Sequence, residues 1–506
     1  MLKRLVVISA LWIAMLAPSL APAQQAKNAL TWGFTNDIET LDPYGTSKRS
    51  SQLVIRNVLE HLLYRDPTSG QAKPALATAW TWIDDKTIEF TLRQGVGFHD
   101  RQPFDADDVV YTVQHIKNPA AQIAFGQADY GFINRAEKIG PYTVHLILNA
   151  PTPSAIDRLT QTLFILPHAA HAQMGAQAFA KSPIGTGPYM VTAFEAGRSV
   201  ELTRHDGYYA AGWGKPRLDK ITVTSIPDSQ TQIAELTSGR VDFLWSISAD
   251  QKQQLQGAAG VTTLAGGSTS ISFLSLDAAG RSGPNPMQDK NVRLAITHAI
   301  DRAAISQVLR GGSSVVLDVP CHPLQFGCPA AIVTYGHDPK KAKDLMKASG
   351  YPNGFETSIS AFTDSGPVAE AIIGDLREIG IRAKLDYRET SAWIKDFFGG
   401  KLTAAVVPWP SNGVYDVSAL VPLFFMSDQG DYARDEEIAG WFKQAGSIVD
   451  AAERARLYKL GFDKIEREAL VVPLMTNVTN YGFRAGLDFV TPGDGYPLMY
   501  MTGWKQ

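Results

Sequence analysis

The sequence predicts an α/β protein of more than one domain, and three observations predict it. Short β-type runs alternate with helix-type runs along the whole chain. Its 506 residues exceed what a single hydrophobic core organises. No segment repeats at a fixed period or falls into low complexity, which removes solenoids and propellers.

Taken in order, the chain opens with Lys3 and Arg4, an apolar run over 5–16, and Ala21-Pro22-Ala23, with small residues at the two positions a signal peptidase inspects. A cleavable signal peptide over 1–23 is expected, with the mature chain starting near Gln24. The run is shorter than the roughly 20 apolar residues that span a bilayer. No cysteine stands near the cleavage site to carry a lipid, so a soluble periplasmic protein is expected. Strands are predicted at 30–34 (LTWGF), 87–92 (TIEFTL), 142–148 (YTVHLIL) and 218–226 (LDKITVTSI), where β-branched and aromatic residues concentrate. Helical spacing of apolar residues predicts helices over 51–63, 105–115, 291–309 and 453–465. In the second of these, Asp105 can cap the helix with Asp107 and Asp108 in its first turn, which explains all three acids without a paired-carboxylate site. The Gly/Ser/Pro-rich stretches 264–270 (LAGGSTS) and 278–286 (AAGRSGPNP) read as linkers and place a domain boundary near 268.

Net charge is −3 from 47 basic and 50 acidic residues, with no run of five like charges, so neither nucleic acid nor an anionic membrane is a partner the composition selects. Cys321 and Cys328 sit in a Pro- and Gly-rich loop, VPCHPLQFGCP. In an oxidising compartment a local disulfide is the simplest reading, worth roughly 2–3 kcal/mol on the chain-entropy model; a metal site with His322 lacks the close cysteine spacing and further imidazoles that zinc sites use. His168 and His171, three apart, read as surface histidines more readily than as a metal pair. Asn477-Val478-Thr479 matches a glycosylation acceptor, but behind a bacterial-style export signal the match is accidental. No nucleophile elbow, phosphate loop, HExxH or EF-hand pattern is present, so no catalytic residue, cofactor or metal is assigned. Trp393, Trp409, Tyr415, Tyr481 and Tyr496 gather in the last quarter beside turn-formers, as cleft residues or as core.

Several segments together resemble the bacterial extracellular solute-binding family that includes dipeptide-, oligopeptide- and nickel-binding proteins: ETLDPYGTS (39–47), VLEHLLYRDPTSGQAKPALATAW (58–80), TIEFTLRQGVGFHDRQPFDADDVVYT (87–112), PIGTGPY (183–189), LTSGRVDF (236–243), VRLAITHAIDR (292–302) and VPLMTNVTNYGFR (472–484). By their own residues, PIGTGPY is a rigid bend, with Gly185 and Gly187 permitting unusual backbone and Pro188 fixing φ, and VRLAITHAIDR carries one apolar helical stripe. The resemblance implies a two-lobed α/β binding protein with a domain inserted in the first lobe and the ligand between lobes. Mapped here, the first lobe takes 24–59, 184–267 and 479–506, the inserted domain 60–183, and the second lobe 268–478. It further implies a monomer that delivers a small solute to an ABC permease and ATPase, without catalysis.

Peptide-binding members hold the ligand's α-amino group with an aspartate three residues after a tryptophan. In VVPWPSNGVYDVS that tryptophan is Trp409, and Asn412 occupies the aspartate position. An amide supplies a dipole where a buried ammonium needs an anion, so the anchor is weakened unless Asp416 replaces it. The opposite wall of the cleft maps to Ser47, Lys48 and Arg49, either base being able to meet a carboxylate or to stand solvated at a helix start. Thr476 and Asn477 match a cleft stretch that bears aromatics in peptide binders, which favours hydrogen bonding over stacking. The expected solute is peptide-like or amino-acid-derived, opine-like or a sugar–amino-acid conjugate. A peptide binder with a relocated anchor, an exported hydrolase and a chaperone-like protein are the competing readings.

Overall fold

The computed structural model describes residues 28–505 except 47, 68, 122, 125, 211–213, 363 and 364, with the main chain alone described at 127, 128 and 412. The expected signal peptide lies outside the described residues, as does Ser47. Among the described residues no helix is long and apolar enough to cross a membrane.

Ten strands form one mixed sheet in the order Ile381–Arg388, Phe355–Phe362, Ala404–Trp409, Val261–Leu276, Val471–Arg484, Phe243–Trp245, Ala29–Phe34, Lys220–Ser225, Ser199–Arg204 and Tyr189–Glu195. Two strands, Val261–Leu276 and Val471–Arg484, run the length of both halves of this sheet and pair antiparallel. Their ladder is regular from Val261↔Arg484 to Gly267↔Val478, breaks, and resumes at Ile271↔Thr476. The segment 264–270, expected as a linker, is therefore strand: its glycines and serines leave room for a register break without ending the pairing.

Side chains alternate across the sheet as the two-residue period requires. In the half beyond the break, Leu274, Leu276, Val472 and Leu474 enter one core with the helices Lys290–Ala299 and Gly366–Arg377, while Ile271, Phe273 and Val471 enter another with Phe424, Phe442 and Phe462. In the other half Trp32, Val223 and Phe243 share a core with a separate four-stranded antiparallel sheet built from Ala77–Asp84, Thr87–Leu92, Thr143–Leu148 and Ile133–Gly140. The helix Ala106–Lys117 packs on that sheet, capped by a reciprocal Asp105–Asp108 box.

Two predicted helices differ from expectation. The first spans only Arg49–Ile55. Beyond it the chain turns over 56–58, with the Val58 and Leu59 amides on the Ile55 carbonyl, and the carbonyls of Asn57, Val58, Glu60 and Leu62 accept from Tyr189, Gly187, Ile165 and Ala77, so 58–63 is packed between other segments instead of continuing the helix. Gly185 and Gly187 complete that contact: a Cβ at Gly185 would lie 1.8 Å from the Val58 carbonyl oxygen. Close backbone approach, not an unusual φ, is what these two glycines serve. The second, expected over 291–309, is two helices, Lys290–Ala299 and Arg302–Arg310, because Asp301 turns to cap the latter through the Ala304 amide. Of the two histidines expected on the surface, His168 is exposed and His171 is not. His168 bonds the Asp108 carboxylate, whereas His171 is buried against Tyr111 and His115, and burial holds it down at about 4.

Candidate functional site

Where the two long strands cross between halves of the sheet, the strand Ala404–Trp409 ends beside them with Trp409 opposite Ile271. The chain then makes a tight turn, Ser411–Gly413, entered through Ser411 at φ 51°. A non-glycine residue there needs outside support. Ser411 Oγ donates to the Thr269 carbonyl oxygen at 2.9 Å and accepts from Gln325 Nε2 at 3.3 Å. Asn412 stands at the centre of this turn; its side chain lies outside the described atoms. The Trp409 ring is half-buried and edge-on to Phe424, centroids 5.1 Å apart. Its indole Nε1 and the Thr269 hydroxyl are buried atoms without a hydrogen-bond partner among the described residues.

Three residues expected in the cleft have their polar groups engaged by the protein. Asp416 is 4% exposed, and its carboxylate takes both bonds from Arg454 Nη2, at 2.9 and 3.1 Å, while capping the Ser418 amide. Its charge is already compensated by a buried guanidinium, a pairing it would have to share to act as a substitute anchor. Thr476 Oγ1 accepts from the Val315 amide at 2.9 Å. The Asn477 amide donates to Ser270 Oγ and the Ile271 carbonyl and accepts from Ser272 Oγ, filling the gap where the ladder breaks. Both side chains are tied into the crossing, Thr476 as an acceptor only.

On the other wall the two bases part company. Lys48 points to Glu39 and Asp37, at 2.7 and 3.8 Å, and is half exposed. Arg49 lies over the rings of Tyr496 and Trp245, 4.6 and 5.1 Å from their centroids, with no carboxylate partner among the described residues. Arg56 also lies over Tyr496, at 4.3 Å, but its charge is met by Asp494 at 3.0 Å and Gln161 at 2.7 Å.

The turn-rich segment 492–496 joins these walls. The Gly495 carbonyl accepts from Trp245 Nε1 and the Tyr481 hydroxyl, and Gly493 lies so close to the Tyr415 hydroxyl that no side chain fits. Tyr415 in turn donates its amide to Asp157 Oδ2 at 2.6 Å, and Arg65, paired with Asp157, stacks 4.5 Å from the Tyr415 ring. Between these groups is a cavity with about 680 Å³ of atom-free space, its mouth included, lined among others by Arg56, Glu60, His61, Arg65, Tyr415 and Asp494. Burial raises Glu60 to about 7 against three hydroxyl donors, Thr186, Tyr208 and Tyr209; burial likewise raises Asp157 to about 6 against Arg65, and holds His61 down at about 3. The hydroxyls of Ser411, Ser268 and Ser272 at the crossing donate to the carbonyl oxygens of Thr269 and Asn477 and to the Asn477 side-chain oxygen.

Of the five aromatics singled out by sequence, Trp393 stacks on Phe397 in a core helix and Tyr481 is fully buried in a sheet strand, so both are core. Trp409, Tyr415 and Tyr496 stand at the site. Sequence reasoning did not find Arg56, Arg65, Asp157, Trp245 or Asp494. The run TPGDGYP around Asp494 carried the one local signal, a dense turn composition beside an aromatic.

The family model for bacterial extracellular solute-binding proteins, family 5 Middle, matches residues 71–431. The chain is 26% identical over 467 residues to heme-binding protein A of Haemophilus influenzae, covering 86% of this chain and 84% of that protein. It is 28% identical over 490 residues to the glutathione-binding protein GsiB of Salmonella paratyphi A, covering 92% of each. The solved structure of AgaA from A. tumefacien R10 in complex with agropinic acid superposes with a TM-score of 0.72 at 25% identity, covering 94% of this chain and 99% of that one. The two-part α/β architecture, the strands crossing between its halves and the matched length agree: this chain belongs to the family 5 bacterial extracellular solute-binding proteins.

Proposed function

We propose that this protein is the periplasmic, monomeric capture subunit of an ABC importer for an acidic, amino-acid-derived solute whose amine is substituted, such as an opine or a sugar–amino-acid conjugate. Family 5 binding proteins deliver solutes to an ABC permease and its ATPase. In this reading the first lobe takes 24–59, 184–267 and 479–506, the insertion 60–183 and the second lobe 268–478, and no chemistry is done on the solute. The signal peptide expected over 1–23 is the ground for export.

The observation that carries the reading is the charge inventory of the cleft. Arg49 is a cation without a carboxylate partner among the described residues, held on Tyr496 and Trp245, while the position that would supply an anion is Asn412. Beside the turn, a cation without a carboxylate partner and an amide in place of the anion favour a carboxylate over an ammonium; Glu60, deeper in the neighbouring cavity, is met by three hydroxyl donors. The unpartnered Trp409 and Thr269 donors beside the turn suit hydroxyl or carbonyl acceptors on the same solute. AgaA, crystallised with agropinic acid, supports the solute class, whereas heme and glutathione in the names of other relatives set the breadth against which it must be tested.

Titration calorimetry with agropinic acid, other N-substituted amino acids and a di- and tripeptide library tests it. Binding of the N-substituted acids, with unmodified peptides at least about a hundredfold weaker, is expected from the several kcal/mol an unpaired buried ammonium costs. Submicromolar binding of free peptides that is lost on N-acetylation refutes it and favours a peptide binder with an anchor elsewhere. Turnover of any of these ligands would overturn the assignment of no catalysis.

A further inference from the structure

The turn that carries Asn412 does not hold its own shape. It is short and irregular, and it enters through Ser411 in the left-handed region. Its support comes from a second loop, closed by the Cys321–Cys328 disulfide. Gln325, at the centre of that loop and 3% exposed, accepts from the His322 amide through Oε1, which fixes the orientation of its side-chain amide. Nε2 then faces three acceptors on the turn: the Val414 carbonyl at 2.9 Å, Ser411 Oγ at 3.3 Å and the Asp416 carbonyl at 3.4 Å. The next residue, Phe326, donates to the Tyr415 carbonyl at 2.8 Å and accepts from the Val417 amide at 3.0 Å, a two-bond ladder alongside the turn. Beneath it Arg454 stacks 4.7 Å from the Phe326 ring while holding Asp416. Every main-chain carbonyl from Val414 to Asp416 thus accepts from the disulfide-closed loop.

We propose that the loop 321–328 is the template for the ligand-facing turn 411–416, with Gln325 as its positioning residue, and that solute capture therefore depends on the disulfide being closed. The dependence on capture rests on the reading above, in which this turn meets the solute. An external dithiol breaks the S–S bond to give two thiols and takes up the oxidation as its own disulfide. The freed loop then samples conformations in which Gln325 and Phe326 no longer meet the turn together.

Hydrogen exchange on the full mature protein tests the template without any ligand. The oxidised protein is compared with the dithiothreitol-reduced protein, with Gln325→Ala, and with Gln325→Glu, which keeps the acceptor for His322 but turns a carboxylate toward three oxygens. Exchange of amides 414–417 is expected to accelerate about tenfold in the reduced protein and in Q325A, and more in Q325E, while the strand Phe355–Phe362 keeps its protection. Unchanged exchange over 414–417 in Q325A and in the reduced protein overturns the template. So does an acceleration shared equally by Phe355–Phe362, which would make Gln325 a general stability residue. In parallel, calorimetry with agropinic acid and with glutathione is expected to show binding weakened about tenfold in Q325A at unchanged stoichiometry. If neither probe binds the oxidised wild type while the turn still responds in exchange, the solute reading fails and the template stands. If a probe binds equally well to wild type and Q325A, the claim on capture fails.

Discussion

Replacing Asp416 separates a structural acid from a ligand anchor. The carboxylate and Arg454 are each 6% exposed at the side chain, and Arg454 Nη2 reaches both carboxylate oxygens. In Asp416→Ala the guanidinium stays in the core with the Ala445 carbonyl, the Tyr458 hydroxyl and the faces of Phe326 and Tyr458 as its remaining partners. Breaking one side of a buried pair costs about 3–5 kcal/mol, and loss of the Ser418 cap adds about 1. Arg454→Met should cost about as much, because it leaves the carboxylate buried without a cation. The double variant D416A/R454M removes both charges together, so it is expected to be several kcal/mol more stable than the two single effects sum to. The assay is urea unfolding of all four proteins, followed by tryptophan fluorescence and checked against exchange of the strand Phe355–Phe362, which reports the same half of the sheet. A D416A protein within about 1 kcal/mol of wild type but unable to bind its solute would refute the reasoning and return Asp416 to the ligand.

Three further outcomes are expected. Arg49→Lys keeps the charge but loses the planar fork that stacks on Tyr496 and Trp245, and should weaken an acidic solute by about 1.5–3 kcal/mol in calorimetry with stability unchanged; equal affinity would remove Arg49 from the site. His61, His99, His171 and His322 are held neutral by burial at about 3, 4, 4 and 4, so the unfolded chain takes up their protons from about pH 6.5 downward while the folded one does not. The urea midpoint should therefore fall between pH 6.5 and 4, offset in part between 7 and 4.5 by Glu60, whose raised value of about 7 has the opposite sign, and a midpoint rising steadily toward pH 4 contradicts this. Gly185→Ala drives a Cβ into the Val58 carbonyl and should lower the melting temperature sharply or prevent folding, whereas alanine at Gly267, where nothing lies within 4 Å, should fold; a G185A protein as stable as wild type would show that the contact is slack.

What the sequence disclosed and what it hid divide along physical lines. Strands whose residues alternate or are β-branched, such as Ala29–Phe34 and Lys220–Ser225, fell where the pattern put them, because one buried face dictates the period. The run 58–63 did not, because burial on several sides erases periodicity, and only the partners of its carbonyls reveal that the helix has ended. The break at Asp301 was visible as a cap residue within an apolar stripe, yet the stripe alone suggested one helix. At the site, Arg49 and Trp409 could be placed by resemblance, but nothing local told Arg49 from Lys48. The difference lies in Asp37 and Glu39 on one side and in Trp245 and Tyr496, far along the chain, on the other. Asp416 carried the same limitation, since its partner Arg454 is reached only through the fold.

The arrangement of polar groups at the crossing also bears on how a solute could act on the two halves. The long strands are continuous, but between Gly267↔Val478 and Ile271↔Thr476 their ladder is interrupted, and Asn477 supplies side-chain bonds in place of main-chain ones. Bending there disturbs side-chain bonds of Asn477 and Ser268 rather than a row of ladder bonds, which makes the crossing a natural place for the pair to flex. Rotation would separate Tyr415 from Asp157 and Arg65, the contact that joins the turn to the far wall. On the proposed reading, a solute that bridged Arg49 and the turn at Asn412 would add its own interactions only with the walls together, and that difference in affinity would shift the equilibrium toward a closed form.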